Sequence, residues 1–223
     1  MPTVAQERML RVAARALGRA GLVHAYGHVS LRLDETHFLV CAAQPMSIIA
    51  PGTAGTVVPV DGPLPDGVLG EVRIHQQIYA MRRGVGAVCR VMPPNVMGLS
   101  VLGITPAPRH GFGAFFAPEP PLWTDPRLLR DDGRAADLAR QMGENPAIVM
   151  RANGAVVVGE DLVEAVALSW FLEEAARIEH FVRLHGNPDD ARLTAEETLA
   201  RQGKEGRVLE RMWDYLTDGD PEA

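Results

Sequence analysis

The 223-residue chain is 47% hydrophobic and 22% charged, with a formal net charge of −6. That is the balance of one globular domain with a sizeable core, and it holds no general attraction for nucleic acid or an anionic membrane surface. No apolar run approaches the roughly 20 residues of a membrane helix, Met1–Arg8 shows no signal-peptide pattern, and two cysteines, Cys41 and Cys89, make no disulfide framework, so a reduced, cytoplasmic setting is expected.

Thr3 and Gln6 have capping-box spacing ahead of Met9, Leu10, Val12, Ala13 and Leu17, which recur at helical spacing, so a helix is expected over Val4–Arg19. Val29–Leu33 and His37–Cys41 alternate and read as a strand pair, and Thr56–Pro59 as a short strand within Gly/Pro-rich loops. Glu71–Met81 is a second helix and Val85–Val91 a buried strand, which Pro93-Pro94 stops or turns into a further helix. The proline- and aromatic-rich stretch 105–126 suggests a functional or interface loop with short strands. A helix over Gly133–Met142 is followed by strands Ile148–Met150 and Ala155–Val158 around Asn153-Gly154, a hairpin dipeptide. Asp161–His185 is a long helix ended by Gly186 and Pro188. Thr194 and Glu197 form another capping box, opening a helical tail over about 194–217. With no repeat and no linker, residues 1–223 read as a single domain.

Four segments in order carry a resemblance: Gly21-Leu-Val-His-Ala-Tyr-Gly-His-Val-Ser30, Glu71-Val-Arg-Ile-His75, Gly86-Ala-Val-Cys-Arg-Val-Met-Pro-Pro94 and Val149-Met-Arg-Ala-Asn-Gly154. Together they resemble the class II aldolase/adducin family over roughly residues 5–185, and Gly-His-Val-Ser looks more like its decarboxylase-type branch than its sugar-phosphate branch. The resemblance implies an α/β fold in three layers, a central, mainly antiparallel sheet flanked by helices. It also implies a homotetramer with sites between neighbouring subunits. The typical relative is a lyase that breaks a carbon–carbon bond next to a carbonyl, with a divalent metal holding the enediolate; adducin is a cytoskeletal binder.

The resemblance places the family's His-x-His at Arg90 and Met92 and its third histidine at Asn153. Arginine has no acceptor lone pair, a thioether is a soft ligand, and an amide oxygen rarely anchors a zinc-type site. Three readings stay open: the site has died, it has been rebuilt for metal-free chemistry, or Glu71, His75, His28 or His110 recruits a metal elsewhere. The rebuilt reading expects no metal and no other cofactor. By strand alternation Arg90 faces where the lost ligand would, and a guanidinium fork suits a carboxylate or enolate; an ion pair with Glu71 is the plainer alternative.

Glu71 stands at the family's acid/base position, with His75 four residues on along the same expected helix face. His28 stands in a turn where sugar-phosphate members hold phosphate with an asparagine. Glu71, Arg90, His28 and His110 are therefore the catalytic candidates, and Tyr26, Asn153, Met92, His75 and the tail residue Tyr215 the substrate-binding ones. His37, His180 and His185 read as surface or packing residues. The lone lysine, Lys204, sits in a polar tail and is a poor Schiff-base nucleophile. The family's phosphate-holding places look like Ala43-Gln44 and Leu69-Gly70, so an unphosphorylated substrate is expected.

The function expected is a metal-independent lyase, of retro-aldol or decarboxylase type, on a small carboxylate- or phenol-bearing substrate. The alternatives are an isomerase, dehydratase or cyclase on the same scaffold, or a non-catalytic adducin-like binder. The expected partners are the substrate and further copies of the chain in a homotetramer, with neither nucleic acid nor membrane.

Overall fold

The computed structural model describes residues 1–189 and 191–223. Helix α1 (Val4–Arg19) opens with the expected Thr3/Gln6 capping box and buries Leu10, Val12, Ala13 and Leu17. Strands β1 (His28–Arg32), β2 (His37–Val40) and β3 (Thr56–Pro59) follow as a meander, Ser30 opposite Val40 and Phe38 opposite Val58. A 3-10 turn, Gly70–Val72, precedes α2 (Arg73–Met81), and then comes β4 (Ala87–Val91). Pro93-Pro94 starts a helix: Pro94 is the first residue of α3 (Pro94–Val101), where its missing N–H costs nothing.

The stretch 105–126 contains the single turn α4 (Gly111–Ala114) and the two-residue β5 (Leu122–Trp123). Asp131 caps α5 (Asp132–Met142), and β6 (Ala147–Met150) and β7 (Gly154–Gly159) form the expected hairpin. Gly154 has φ +83°, and a Cβ there would lie 2.1 Å from the Val91 carbonyl oxygen, so only glycine brings this corner against β4. Asp161 caps α6 (Leu162–His185).

The expected continuous tail helix is divided into α7 (Ala195–Arg201) and α8 (Val208–Thr217). Between them Gly206 (φ 71°) and Arg207 (φ 58°) are left-handed, and Gly203 and Gly206 supply the freedom that breaks the helix.

The sheet has seven strands in the order β3-β2-β1-β4-β7-β6-β5, antiparallel throughout except for the parallel pair β5–β6. Period-two alternation divides its residues between two cores. On one face Val29, Ala87, Cys89, Val91, Ala155 and Val157 pack with α1, α3, α6 and α8. On the other Phe38, Val88, Ile148, Val156 and Val158 pack under α2 and α5. The expected three layers are therefore present. His28, Ser30 and Arg90 share the face of Val88, which turns three polar side chains toward α2 in the middle of the sheet.

The last residues clamp back onto α1. Arg15 donates to both carboxylate oxygens of Asp220 (2.8 and 2.6 Å), and Arg11 and Arg15 both pair with Glu222. Among the described residues no helix is long and apolar enough to cross a membrane.

Candidate active site

Gly27 sets the site's first member. Its φ is +139°, and a Cβ would meet Val23 Cγ1 at 2.6 Å and the Arg90 carbonyl oxygen at 3.0 Å. Only glycine fits that approach, and it delivers His28 as the first residue of β1. The expectation of His28 in a turn is corrected accordingly: it lies in the ladder, directly opposite Arg90.

Arg90 is 3% exposed. Its NH2 group donates to Asn153 Oδ1 at 2.9 Å and faces Glu71 Oε2 at 3.4 Å, while NH1 donates to the Val91 carbonyl at 3.1 Å. Asn153 Nδ2 and the Leu129 backbone N–H both reach Glu71 Oε1 at 3.4 Å. Burial lowers the pKa of Arg90 and Glu71 pulls it back up; guanidinium stays a cation at any ordinary pH. The Nε of Arg90 is buried and has no acceptor.

Beside this triad lies a buried polar chain. His28 Nδ1 and His75 Nε2 are 2.8 Å apart, His75 Nδ1 and Ser30 Oγ 2.6 Å, and Ser30 Oγ and the Tyr79 hydroxyl 2.9 Å. Burial holds His75 at about 3, with Arg90 adding to the effect, and holds His28 well below the usual imidazole range, so both rings are neutral. His28 also lines a small cleft of about 10 Å³, room for about one water-sized group, with Val40, Cys41, Ala43, Thr56, Leu69 and Val72 among its walls. Burial pushes the Cys41 thiol up to about 11, so it is no thiolate nucleophile.

The structure thus brings Glu71, Arg90, Asn153, His28 and His75 together. The expectation of His75 as a substrate-binding residue is corrected: it is 0% exposed with both ring nitrogens engaged, leaving no atom for a substrate.

Met92 lies just past β4, partly buried, and Tyr26 is an exposed neighbour of His24. His110 does not join the group. It packs on Phe112 near side chains of α6 and α7, against the sheet face opposite Arg90, and neither ring nitrogen has a partner. Tyr215 projects from α8 and is exposed, while Trp213 packs on its own core. Ser30 and Tyr79 were not among the candidates; a serine two residues after His28 on one strand and a tyrosine four after His75 on one helix were the available signals.

The chain resembles proteins of known structure and activity over most of its length. The family model for the class II aldolase and adducin N-terminal domain matches residues 8–180. The chain belongs to the class II aldolase/adducin family. A 3,4-dihydroxyphthalate decarboxylase from Terrabacter sp. (strain DBF63) is 28% identical over 214 residues, 88% of each chain. One from Arthrobacter keyseri is 28% identical over 178 residues, 70% of each. Of solved structures, L-fuculose-1-phosphate aldolase from Thermus thermophilus is 27% identical with a TM-score of 0.73, over 82% of this chain and 96% of that one. An aldolase II superfamily protein from Pseudomonas syringae shares the fold at 22% identity and a TM-score of 0.78, over 96% of this chain and 92% of that one.

The divalent metal of the family does not fit the residues at its place here. Arg90 offers a positive charge and no lone pair, Asn153 Oδ1 already accepts from Arg90, and Met92 offers only a thioether. Among the described residues no group of three His, Cys, Asp or Glu side chains can hold a metal elsewhere either.

Proposed function

We propose that the protein is a metal-independent lyase, of decarboxylase type, acting on a small unphosphorylated substrate that bears both carboxylate and phenol. Arg90 carries this reading. A buried cation with an unpaired N–H stands where the family implies a metal, and a charged donor without an acceptor is costly until a ligand supplies one. A substrate carboxylate meets the charge and supplies the acceptor that Nε lacks. Decarboxylation is favoured over retro-aldol cleavage because both curated relatives are decarboxylases of such an acid. Ala43 and Leu69, at the places where the resemblance puts phosphate-holding serines, carry no hydroxyl, in keeping with an unphosphorylated substrate.

The chemistry this geometry supports balances simply. A proton is added to the ring carbon that bears the leaving carboxylate, the phenol oxygen feeding electrons into the ring. The carbon–carbon bond then breaks, CO2 leaves, and the bonding pair restores the aromatic ring. Glu71, half-buried beside the guanidinium, is the group that moves the proton. Arg90 holds the substrate's anionic oxygens, which orients the ring toward Glu71 and meets the charge that returns to the phenol oxygen as CO2 leaves.

The test is purified protein with 3,4-dihydroxyphthalate, following CO2 release and the loss of one carboxyl from the product. Stoichiometric CO2 supports the reading. Turnover of a hydroxylated aldehyde precursor without CO2, or binding without turnover, would replace it with an aldolase or a binding protein.

A further inference from the structure

Tyr79, Ser30 and His75 are closed to solvent and only His28, at one end of the chain Tyr79–Ser30–His75–His28, reaches a cleft, so the hydrogens are assigned by counting from the closed end. Tyr79 is 1% exposed, and Ser30 is the one side chain hydrogen-bonded to its hydroxyl among the described residues. A buried donor hydrogen is orphaned more rarely than an oxygen with a spare lone pair. Tyr79 therefore donates to Ser30. The Ser30 hydrogen then has one place to go, His75 Nδ1 at 2.6 Å. His75, neutral, accepts on Nδ1 and so carries its proton on Nε2, which it donates to His28 Nδ1 at 2.8 Å. His28, neutral and accepting on Nδ1, carries its proton on Nε2. The reverse polarity strands the Tyr79 hydrogen in the core.

We propose that His28 is a one-way hydrogen-bond donor, its proton fixed on Nε2 by the chain from Tyr79, and that it binds an unprotonated substrate oxygen, a carboxylate or phenolate. Nε2 is the ring nitrogen that His75 does not engage, and the ring is one wall of the small cleft, with Arg90 opposite His28 on β4. A group that only donates selects an acceptor and discriminates against a hydroxyl that must donate in turn. It also cannot serve as the general base, because its other nitrogen is occupied by His75. Glu71 remains as the proton carrier, and Ser30, His75 and Tyr79 are positioning residues. The identity of the oxygen rests on the decarboxylase reading above; the tautomer does not.

The experiment uses the full chain labelled with 15N-histidine. Long-range 1H–15N spectra distinguish Nε2–H from Nδ1–H imidazole, and His28→Gln and His75→Gln assign the signals. Expected at neutral pH are two neutral rings, His28 and His75, both protonated on Nε2. Phthalate, which keeps the carboxylates and lacks the phenols, should move the His28 Nε2–H proton downfield and leave that of His75 in place. His28→Leu should weaken phthalate binding by about 10–100-fold, the size of a hydrogen bond to a charged group, and His28→Gln, which keeps a donor, should recover part of it. A His28 proton on Nδ1, a cationic His28, or phthalate binding untouched by His28→Leu in a folded variant overturns the proposal. Failure to release CO2 from 3,4-dihydroxyphthalate with the tautomers as expected instead removes the decarboxylase reading and leaves the donor assignment standing.

Discussion

Arg90 and Asn153, which stand at two of the places where the family resemblance puts metal-binding histidines, are hydrogen-bonded to each other at 2.9 Å. The pair is closed by Glu71, which faces both. If this cation stabilises charge on the substrate, Arg90→Met should lower turnover by on the order of 10²–10³, the usual cost of losing an oxyanion donor. Arg90→Lys should recover only part, since an ammonium lacks the fork. Turnover and melting temperature measured on one preparation separate this from a purely structural ion pair. Undiminished turnover in folded Arg90→Met retires the role.

The donor set makes a second expectation simple. Chelator treatment should leave activity and melting temperature unchanged, and elemental analysis of the purified protein should find no stoichiometric divalent ion. One equivalent of zinc whose binding is lost in Asn153→Ala would show that the site holds metal after all.

Stability should depend on pH through the buried imidazoles. In the unfolded chain each titrates near 6.5, while burial holds His75 at about 3 and His28 also below its ordinary value. Below pH ~6.5 the unfolded state binds protons that the folded state refuses, so stability falls as pH falls. Each such group contributes up to ~1.4 kcal/mol per pH unit, and half-buried His110 adds in the same direction. Asp220 and Glu222, both at about 2, begin to contribute as the pH falls below about 5, so about pH 5–6.5 isolates the histidines. Urea unfolding of His75→Gln across that window should show a slope smaller by about one proton; an unchanged slope would assign the linkage elsewhere.

The C-terminal clamp should be a large single contribution to stability. The Asp220 side chain is fully buried on Arg15, itself nearly so. Burial opposes its charge, but Arg15 and Arg19 hold its carboxyl at about 2. Asp220→Ala leaves a buried guanidinium without its main partner and should cost about 3–5 kcal/mol in denaturant unfolding. A loss below about 1 kcal/mol would mean that Glu222 alone satisfies Arg15.

A homotetramer remains our proposal for the assembly. Phe181 and Leu184 on α6, Val101 and Leu102 at the end of α3, and Tyr215 on α8 leave large apolar side chains in water. Light scattering should report four chains per particle at micromolar concentration, and a monomer there would end the proposal.

Local physics made most of the fold legible in the sequence. The capping boxes at Thr3 and Thr194, the period of α1 and the Asn153-Gly154 corner each act within a few residues, and each appears where the sequence placed it. The strand order, which seats β4 between β1 and β7, depends on burial over the whole chain and came from the fold.

The same division runs through the site. Arg90, Met92 and Asn153 were identified by sequence because a motif is a local string. That Arg90 binds Asn153, or that His75 meets His28, was decided by the pairing of β4 with β7 and β1 and by the packing of α2 on the sheet. Ser30 and Tyr79 are 49 residues apart. Only the packing of α2 across the sheet joins them, and a hydrogen bond between distant side chains leaves no mark on the spacing of either segment. Sequence alone thus determined which chemical groups are available and which ligands are missing. The tertiary structure decided which of them touch, because burial removes water as an alternative partner and forces each polar atom to find its match in the fold.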